Sequence, residues 1–226
     1  RETAKGAVDP STAAVYHQPV IDYFETLGKK PFRVEVPFTR AHWEAAYLAP
    51  QITLARGWST QLDTKYGALF YRKDKPFSAA EYHRWLSSNA VRYIAVPDAP
   101  PDPSSRRELA VIASQPSWLK PLWSSANWKV YEVANSKPLL AGPGELVSLG
   151  RDNFKLQAHR AEPMIVRVRW TSFFKVTEGS ACLARAKGDW TEVTPVRPGP
   201  ISIEARFDVK RMADQTSFCS SAGDNL

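Results

Sequence analysis

The chain has 226 residues, of which 43% are hydrophobic and 23% are charged. This composition is ordinary for a globular protein and excludes intrinsic disorder, a collagen-like repeat and a coiled coil. The length fits one large or two modest domains. No apolar run reaches the roughly 18 residues that a membrane span needs.

The formal net charge of +7 would suit an anionic partner. The basic residues are scattered along the chain, however, and neither an RNA-binding motif nor a paired-cysteine zinc pattern occurs. We therefore expect no nucleic-acid partner and a solvated basic surface.

Helix and strand signals alternate in the first 135 residues. Pro10 is suited to a first helical turn and Gly28 to a C-terminal cap, which predicts a helix between them that restarts at Pro19. The pair Ser78 and Glu81 predicts a capping box at the start of a second helix. The strongest strand pattern of the chain follows at Val91–Val96.

The same order of signals then repeats. Ser105 and Glu108 predict a second capping box, and the alternating segment Trp128–Val133 predicts another strand. Strands that alternate with helices are typical of a parallel sheet with helices packed on it. Residues 1–135 are therefore predicted to form a three-layer-like α/β lobe with a mostly parallel sheet.

The pattern changes after Asn135, where short alternating segments separated by Gly or Pro turns replace the helices. The predicted strands are Glu145–Leu149, Phe154–Ala158, Met164–Trp170, Ala181–Ala186, Trp190–Val193 and Ile201–Phe207. So many short strands in about 90 residues suggest an antiparallel β-sandwich. Residues 136–226 are therefore predicted to form a β-sandwich lobe with a polar C-terminal tail.

The two cysteines, Cys182 and Cys219, both lie in the last quarter of the chain. One interpretation is a disulfide that closes a loop of about 37 residues, which would indicate an oxidising, extracytoplasmic setting. The other is a pair of unpaired buried thiols. The nearest histidine is His159, so the cysteines do not indicate a metal site, and no cofactor is expected.

Signature motifs of phosphate-binding loops, serine hydrolases and zinc proteases are absent. One dense group of aromatic and polar side chains nevertheless lies between Thr39 and Asp63, and it consists of His42, Trp43, Glu44, Tyr47, Arg56, Trp58, Gln61 and Asp63. Trp43 and Tyr47 are four residues apart and would share a helix face.

An indole can stack on a sugar ring while the polar neighbours bind its hydroxyls, so this group predicts a glycan-binding surface. The alternative is that the aromatic residues belong to the core and that Arg56 pairs with Glu44 or Asp63.

Four segments, RVEVPFTRAHWEAAYLAP, LARGWSTQLDTKYGALFY, AEYHRWLSSNAVRYIAVPDA and WKVYEV, resemble one group of bacterial polytopic membrane proteins. The group looks like the GT-C type of lipid-phosphosugar-dependent glycosyltransferases, and the resemblance covers about residues 8 to 133. It implies a soluble C-terminal domain outside the cytoplasm, with Arg1 following the last of several membrane spans. It also implies that the catalytic acids lie on loops between those spans and not in these residues.

The resulting expectation is a non-catalytic extracytoplasmic domain of a cell-envelope membrane protein that binds or positions a glycan acceptor. Its partners would be a cell-wall glycan or lipid-linked saccharide and, through the parent protein, the adjacent membrane surface, where basic residues favour anionic headgroups. Two alternatives remain. One is a self-contained carbohydrate-active hydrolase that uses Glu44 and Asp63, which must then line one open cleft. The other is a protein-interaction scaffold.

Overall fold

A computed structural model describes residues 9–56, 64–70, 72 and 77–206. The chain divides into two compact units, residues 1–137 and residues 138–226. The described part of the first unit contains helices and one mixed sheet, and that of the second contains two antiparallel sheets. This confirms α/β content followed by a β-rich part. No helix among the described residues has the length and apolar character needed to cross a membrane.

The elements of the first unit alternate along the chain. The described helices are α1 (Ala14–Thr26), α2 (Glu44–Leu48), α3 (Thr64–Gly67), α4 (Ala79–Ser88) and α5 (Arg106–Ala113). The strands are β1 (Arg33–Glu35), β2 (Thr53–Leu54), β3 (Val91–Pro97), β4 (Leu119–Ser124) and β5 (Trp128–Val133).

The first predicted helix is present as a short 3₁₀ turn followed by α1. The Asp9 carboxylate accepts a hydrogen bond from the Ser11 backbone N–H at 2.9 Å and so caps the 3₁₀ turn. Pro19 lies inside α1 rather than at a break between two helices. Gly28 follows the helix with a φ of 90°, a conformation that glycine adopts without the steric cost that a Cβ would add.

The sheet of the first unit is mixed, so the prediction of a mostly parallel sheet is wrong. Its strand order is β2-β1-β3-β5-β4. β1 is parallel to both β2 and β3, whereas β5 is antiparallel to both β3 and β4. The reason is the unpredicted strand β4: the chain crosses from β3 through α5 to β4, and a hairpin then returns β5 into the space between them.

Two hydrophobic clusters bury this sheet, and β3 contributes to both of them. Tyr93 and Ala95 belong to a cluster with α1 and α2, while Val91 and Ile94 belong to a cluster with α4 and α5. A strand that buries side chains on both faces lacks a polar side, which explains its nearly continuous apolar sequence.

The two predicted capping boxes have different outcomes. Ser78 and Glu81 form the reciprocal box at the start of α4, which confirms the first prediction. At the start of α5, Ser105 makes no capping hydrogen bond, so the second prediction is wrong. The Glu108 carboxylate is instead directed into the interior, where it contacts Arg56 and Tyr82.

This difference predicts opposite responses to the same substitution. Ser78→Ala should lower the free energy of unfolding by about 1 kcal/mol, because a helix N–H loses its acceptor. Ser105→Ala should have little effect or stabilise, because the buried Ser105 hydroxyl has no partner among the described residues. Denaturant unfolding of the two variants checks this, and equal destabilisation would contradict the assigned caps.

The described strands of the second unit form two four-stranded sheets in which every pairing is antiparallel. The strands are β6 (Leu140–Ala141), β7 (Gly144–Leu149), β8 (Asn153–Ala158), β9 (Met164–Arg169), β10 (Phe174–Glu178), β11 (Ala181–Ala186), β12 (Trp190–Pro195) and β13 (Gly199–Ala205). The sheet orders are β10-β13-β8-β7 and β11-β12-β9-β6. All six predicted strands are found, and β6 and β10 were not predicted.

One hydrophobic cluster unites the two sheets of this unit. β8 and β13 contribute Phe154, Leu156 and Ile203 from one sheet, and β9 and β12 contribute Val166 and Val193 from the other. All five side chains are at most 1% exposed. Side chains from two sheets that share one dry core are typical of sandwich-like packing.

Two edge strands contain a β-bulge with an exposed apolar residue. In β4 the register shifts between Pro121 and Trp123, and in β7 it shifts between Leu146 and Ser148. The residue at the first bulge is Leu122 and the residue at the second is Val147, and both side chains are exposed.

The predicted disulfide stays a prediction, because Cys219 lies outside the described residues. Cys182 lies on β11 opposite Thr194 of β12. Within the described part of the chain no cysteine is free.

Candidate functional site

The candidate site lies where the chain leaves the carboxyl ends of β1 and β3. The two loops that follow these strands are joined by backbone hydrogen bonds, one from the Arg40 N–H to the Pro100 carbonyl at 2.8 Å and one from the Asp102 N–H to the Phe38 carbonyl at 2.9 Å. β1 and β3 are neighbours in the sheet, and the chain continues from β1 to β2 on one side but from β3 to β4 on the other side. Ligands of α/β sheets bind at such switch points, outside the carboxyl ends of the strands.

Three rings form a continuous stack at this end of the first unit. The Trp43 and Tyr47 rings are 5.6 Å apart between centroids, and the Tyr47 and His17 rings are 5.0 Å apart. Trp43 is 41% exposed, whereas His17 is fully buried. The stack therefore runs from the interior to the surface, and Trp43 is its outer member.

Two further contacts hold the inner part of the stack in place. The Tyr47 hydroxyl donates to the Thr12 carbonyl at 3.1 Å, and His17 Nε2 lies 2.9 Å from the Ser11 carbonyl. Burial lowers the pKa of His17, against the opposing effects of this hydrogen bond and of the Glu44 charge. The ring is consequently neutral near pH 7 and packs as an aromatic group.

His42 lies beside Trp43 and faces an acidic residue from the other loop. Its Nε2 is 3.3 Å from Oδ2 of Asp102, and the side chains are 44% and 23% exposed. His42 has a φ of 57°, and residues with a Cβ in this left-handed region are uncommon and concentrate at functional sites.

Asp102 is held in its ionised form by its neighbours. Partial burial would raise the pKa of Asp102, but hydrogen bonds from the Ser104 hydroxyl and N–H, together with the nearby His42, lower it overall. Both Ser104 contacts are made to Oδ1, at 2.5 and 2.8 Å, which leaves Oδ2 directed towards His42.

Glu44 is turned into the interior. It is 1% exposed, and its Oε1 accepts a hydrogen bond from the Thr39 backbone N–H. The hydrolase alternative requires Glu44 and Asp63 to line one open cleft, and the buried Glu44 does not meet that requirement. The predicted pairing of Arg56 with Glu44 is wrong, because Glu44 is bonded to the Thr39 backbone. The alternative pairing with Asp63 stays a prediction, because Asp63 lies outside the described residues.

Arg56 is also interior, where it pairs with two other carboxylates. Its guanidinium donates to Glu35 at the end of β1, with Nε at 2.6 Å from Oε1, and to Glu108 of α5, with Nη2 at 2.6 Å from Oε1. The second Glu108 oxygen accepts from the Tyr82 hydroxyl at 3.0 Å. The guanidinium carbon also lies 3.8 Å from the centre of the Phe70 ring, a cation–π contact.

Among the described residues, this buried cluster contains one positive group for two carboxyl groups. Both glutamates are fully buried, and the Arg56 side chain is 8% exposed. Burial and the Glu108 charge raise the pKa of Glu35 to about 8 despite the opposing effect of Arg56. At neutral pH the cluster therefore retains a proton and avoids an uncompensated buried charge.

The structure thus brings His42, Trp43 and Tyr47 together at the surface and places Glu44 and Arg56 inside. The other three predicted site residues, Trp58, Gln61 and Asp63, lie outside the described residues. Sequence reasoning missed Asp102, His17 and the two glutamates that bind Arg56. Asp102 stands in a Pro-rich loop 60 positions after His42, so only the pairing of the β1 and β3 loops could have indicated it.

Within the described residues, no group of three or more histidine, cysteine or acidic side chains is arranged to hold a metal ion. In comparisons with known proteins, no family model and no curated protein matches the chain.

The buried cluster predicts a pH-dependent difference between the wild type and Glu35→Gln. A carboxyl group whose pKa is raised on folding stabilises the folded state fully when the pH is below its pKa in the unfolded chain, here 4.5. This stabilisation is lost as the pH rises through its pKa in the folded protein, about 8. Glutamine keeps the acceptor for Arg56 without a charge. Glu35→Gln should therefore gain stability relative to the wild type between pH 5 and pH 8 by on the order of a few kcal/mol.

Thermal or denaturant unfolding of both proteins across this pH range measures the difference. Glu25→Gln, at an exposed position of α1, is the matched control and should follow the wild-type curve. A difference between Glu35→Gln and wild type that stays constant over the range would show that the cluster holds no such proton.

Proposed function

We propose that the chain is a non-catalytic extracytoplasmic domain of a cell-envelope membrane protein and that it binds or positions a glycan acceptor through Trp43. The parent protein would be glycosyltransferase-like, with the catalytic acids on its membrane loops. In this proposal the first unit is a three-layer-like α/β lobe and the second is a β-sandwich.

The main support for glycan binding is the exposed ring of Trp43 at the outer end of the ring stack. Trp43 is 41% exposed, although one face of its indole is occupied by Tyr47, which itself rests on the buried His17. Such support fixes the ring before a ligand arrives and reduces the entropy lost on binding. The exposed part of an indole can take the C–H face of a pyranose or furanose ring.

Polar groups beside the ring support the same ligand class. His42 directly precedes Trp43 and is 44% exposed, and Asp102 behind it is partly exposed. A sugar needs an apolar platform together with hydrogen-bonding groups at its rim, because its hydroxyls must regain the hydrogen bonds that they give up to water.

The extracytoplasmic location and the glycosyltransferase-like parent derive from the resemblance of residues 8 to 133. The net charge of +7 agrees with a position beside anionic headgroups, where each nearby Lys or Arg contributes about 1 kcal/mol. The non-catalytic assignment agrees with the burial of Glu44, since a carboxylate without access to substrate cannot act as general acid or nucleophile.

Trp43→Ala tests the proposal. The wild type should bind at least one of arabinan, galactan, mannan or peptidoglycan fragments, with a chemical-shift change at the Trp43 indole. Removal of the platform should weaken this binding roughly tenfold to thirtyfold, as is usual for an aromatic anchor. NMR titration measures the dissociation constants, and thermal unfolding verifies that the variant is folded.

The matched control is Leu122→Ala, which truncates a side chain of similar exposure, 45%, on strand β4 of the same unit. It should bind like the wild type. Absence of binding by the wild type to all four glycans would contradict the proposal and favour the scaffold alternative. Hydrolysis of any of them by the wild type would instead favour an enzyme.

A further inference from the structure

The contact between His42 and Asp102 has a chemical consequence for the ring. A neutral imidazole carries one proton, and the hydrogen bond made by one nitrogen decides which of the two holds it. Here Nε2 lies 3.3 Å from a carboxylate oxygen, and an ionised carboxylate accepts hydrogen bonds but cannot donate them. In the neutral ring the proton is therefore held on Nε2, and Nδ1 is left with a lone pair.

Among the residues that the structure describes, no second charged side chain is in contact with His42. Asp102 is the charged side chain in contact with it among the described residues, and the Phe38 ring lies 5.5 Å from it. Glu44 is close along the chain, but its carboxylate is turned inward to the Thr39 backbone. No hydrogen bond to Nδ1 is found within the described part of the chain, and the imidazole is 44% exposed.

We infer that His42 and Asp102 form a fixed-tautomer acceptor site in which Nδ1 of His42 accepts a hydrogen bond from one hydroxyl of the ligand stacked on Trp43. This inference rests on the proposed function and deepens it. Asp102 is a positioning residue, since it acts through His42, and the site selects ligands with a hydroxyl donor at one ring position. A methyl ether at that position cannot donate and should bind more weakly.

The left-handed backbone of His42 supports this role. A φ of 57° is conformationally unfavourable for a residue with a Cβ. In this conformation the His42 ring faces Asp102 of the neighbouring loop. The hydrogen bonds that join Phe38 and Arg40 to the β3 loop connect the two loops that carry His42 and Asp102.

The first measurement concerns the imidazole alone and needs no ligand. Nitrogen-15 NMR of the side chain, at a pH where the same spectra show a neutral ring, should report the Nε2–H tautomer in the wild type. In Asp102→Asn the side-chain amide can donate to Nε2, so the population should shift towards Nδ1–H. Ser104→Ala is the matched control, because it removes the hydroxyl contact to the other oxygen of Asp102 but keeps the contact from the Ser104 backbone N–H, and it should leave the tautomer unchanged.

The second measurement uses the glycan fragment that binds most tightly to the wild type and its mono-O-methyl derivatives, one position at a time. One derivative should bind the wild type roughly three- to tenfold more weakly, as expected for the loss of one neutral hydrogen bond. The same derivative and the parent fragment should bind Asp102→Asn equally, because that variant has already lost the acceptor.

The results of these two measurements distinguish a failure of this inference from a failure of the proposed function. An Nδ1–H tautomer in the wild type, or a tautomer that Asp102→Asn does not change, overturns the inference even when a glycan binds through Trp43. Equal sensitivity of the wild type and Asp102→Asn to methylation also overturns it. Absence of binding to every fragment contradicts the proposed function, and with it the ligand half of the inference, whatever the tautomer.

Discussion

A single buried guanidinium links three parts of the first unit that are far apart in sequence. Arg56, just after β2, is bonded to Glu35 at the end of β1 and to Glu108 in α5. Removal of two carboxyl groups and a cation from water is costly, and a buried ion pair is seldom a net source of stability. The effect of the cluster on geometry is clearer. If one of these elements moved away, a buried charge would be left without its partner. The carboxyl ends of β1 and β2 are thereby fixed relative to α5, and the loops that carry the candidate site begin from this fixed edge.

The candidate surface consists of loops, but these loops are held in place where they leave the sheet. The β1 loop is bonded to the β3 loop by two backbone hydrogen bonds, and its helix α2 packs with α1 in a common hydrophobic cluster through Leu48 and Val20. Function in such folds usually resides on loops carried by a rigid scaffold. Here the scaffold supplies both a supported indole and an oriented imidazole within two consecutive residues.

Much of the fold could be predicted from local patterns, and the failures have a common physical cause. The capping box at Ser78 and the strand at β3 depend on neighbours within a few residues, and both predictions are confirmed. The box at Ser105 failed because Glu108 forms stronger contacts with Arg56, a residue 52 positions earlier. Strand β4 was missed because Pro121 and its largely exposed residues interrupt the usual strand pattern.

The same distinction applies to the site. His42, Trp43 and Tyr47 were found because they are close in sequence and share an aromatic, polar composition. Asp102 could not be found in this way, since it reaches His42 only through the parallel pairing of β1 with β3. The inward orientation of Glu44 and Arg56 likewise depends on tertiary partners, and a charged side chain near an aromatic one looks the same in sequence whether it faces water or the core.

The bulges in β4 and β7 affect how this protein behaves at high concentration. Both strands form the outer edge of a sheet, where unpaired N–H and C=O groups can recruit another chain into an extended aggregate. The extra residue at each bulge, Leu122 or Val147, breaks the regular spacing of these groups and bends the strand. A second molecule therefore finds no continuous template, even though each edge presents an apolar side chain, and these two edges resist polymerisation by strand addition.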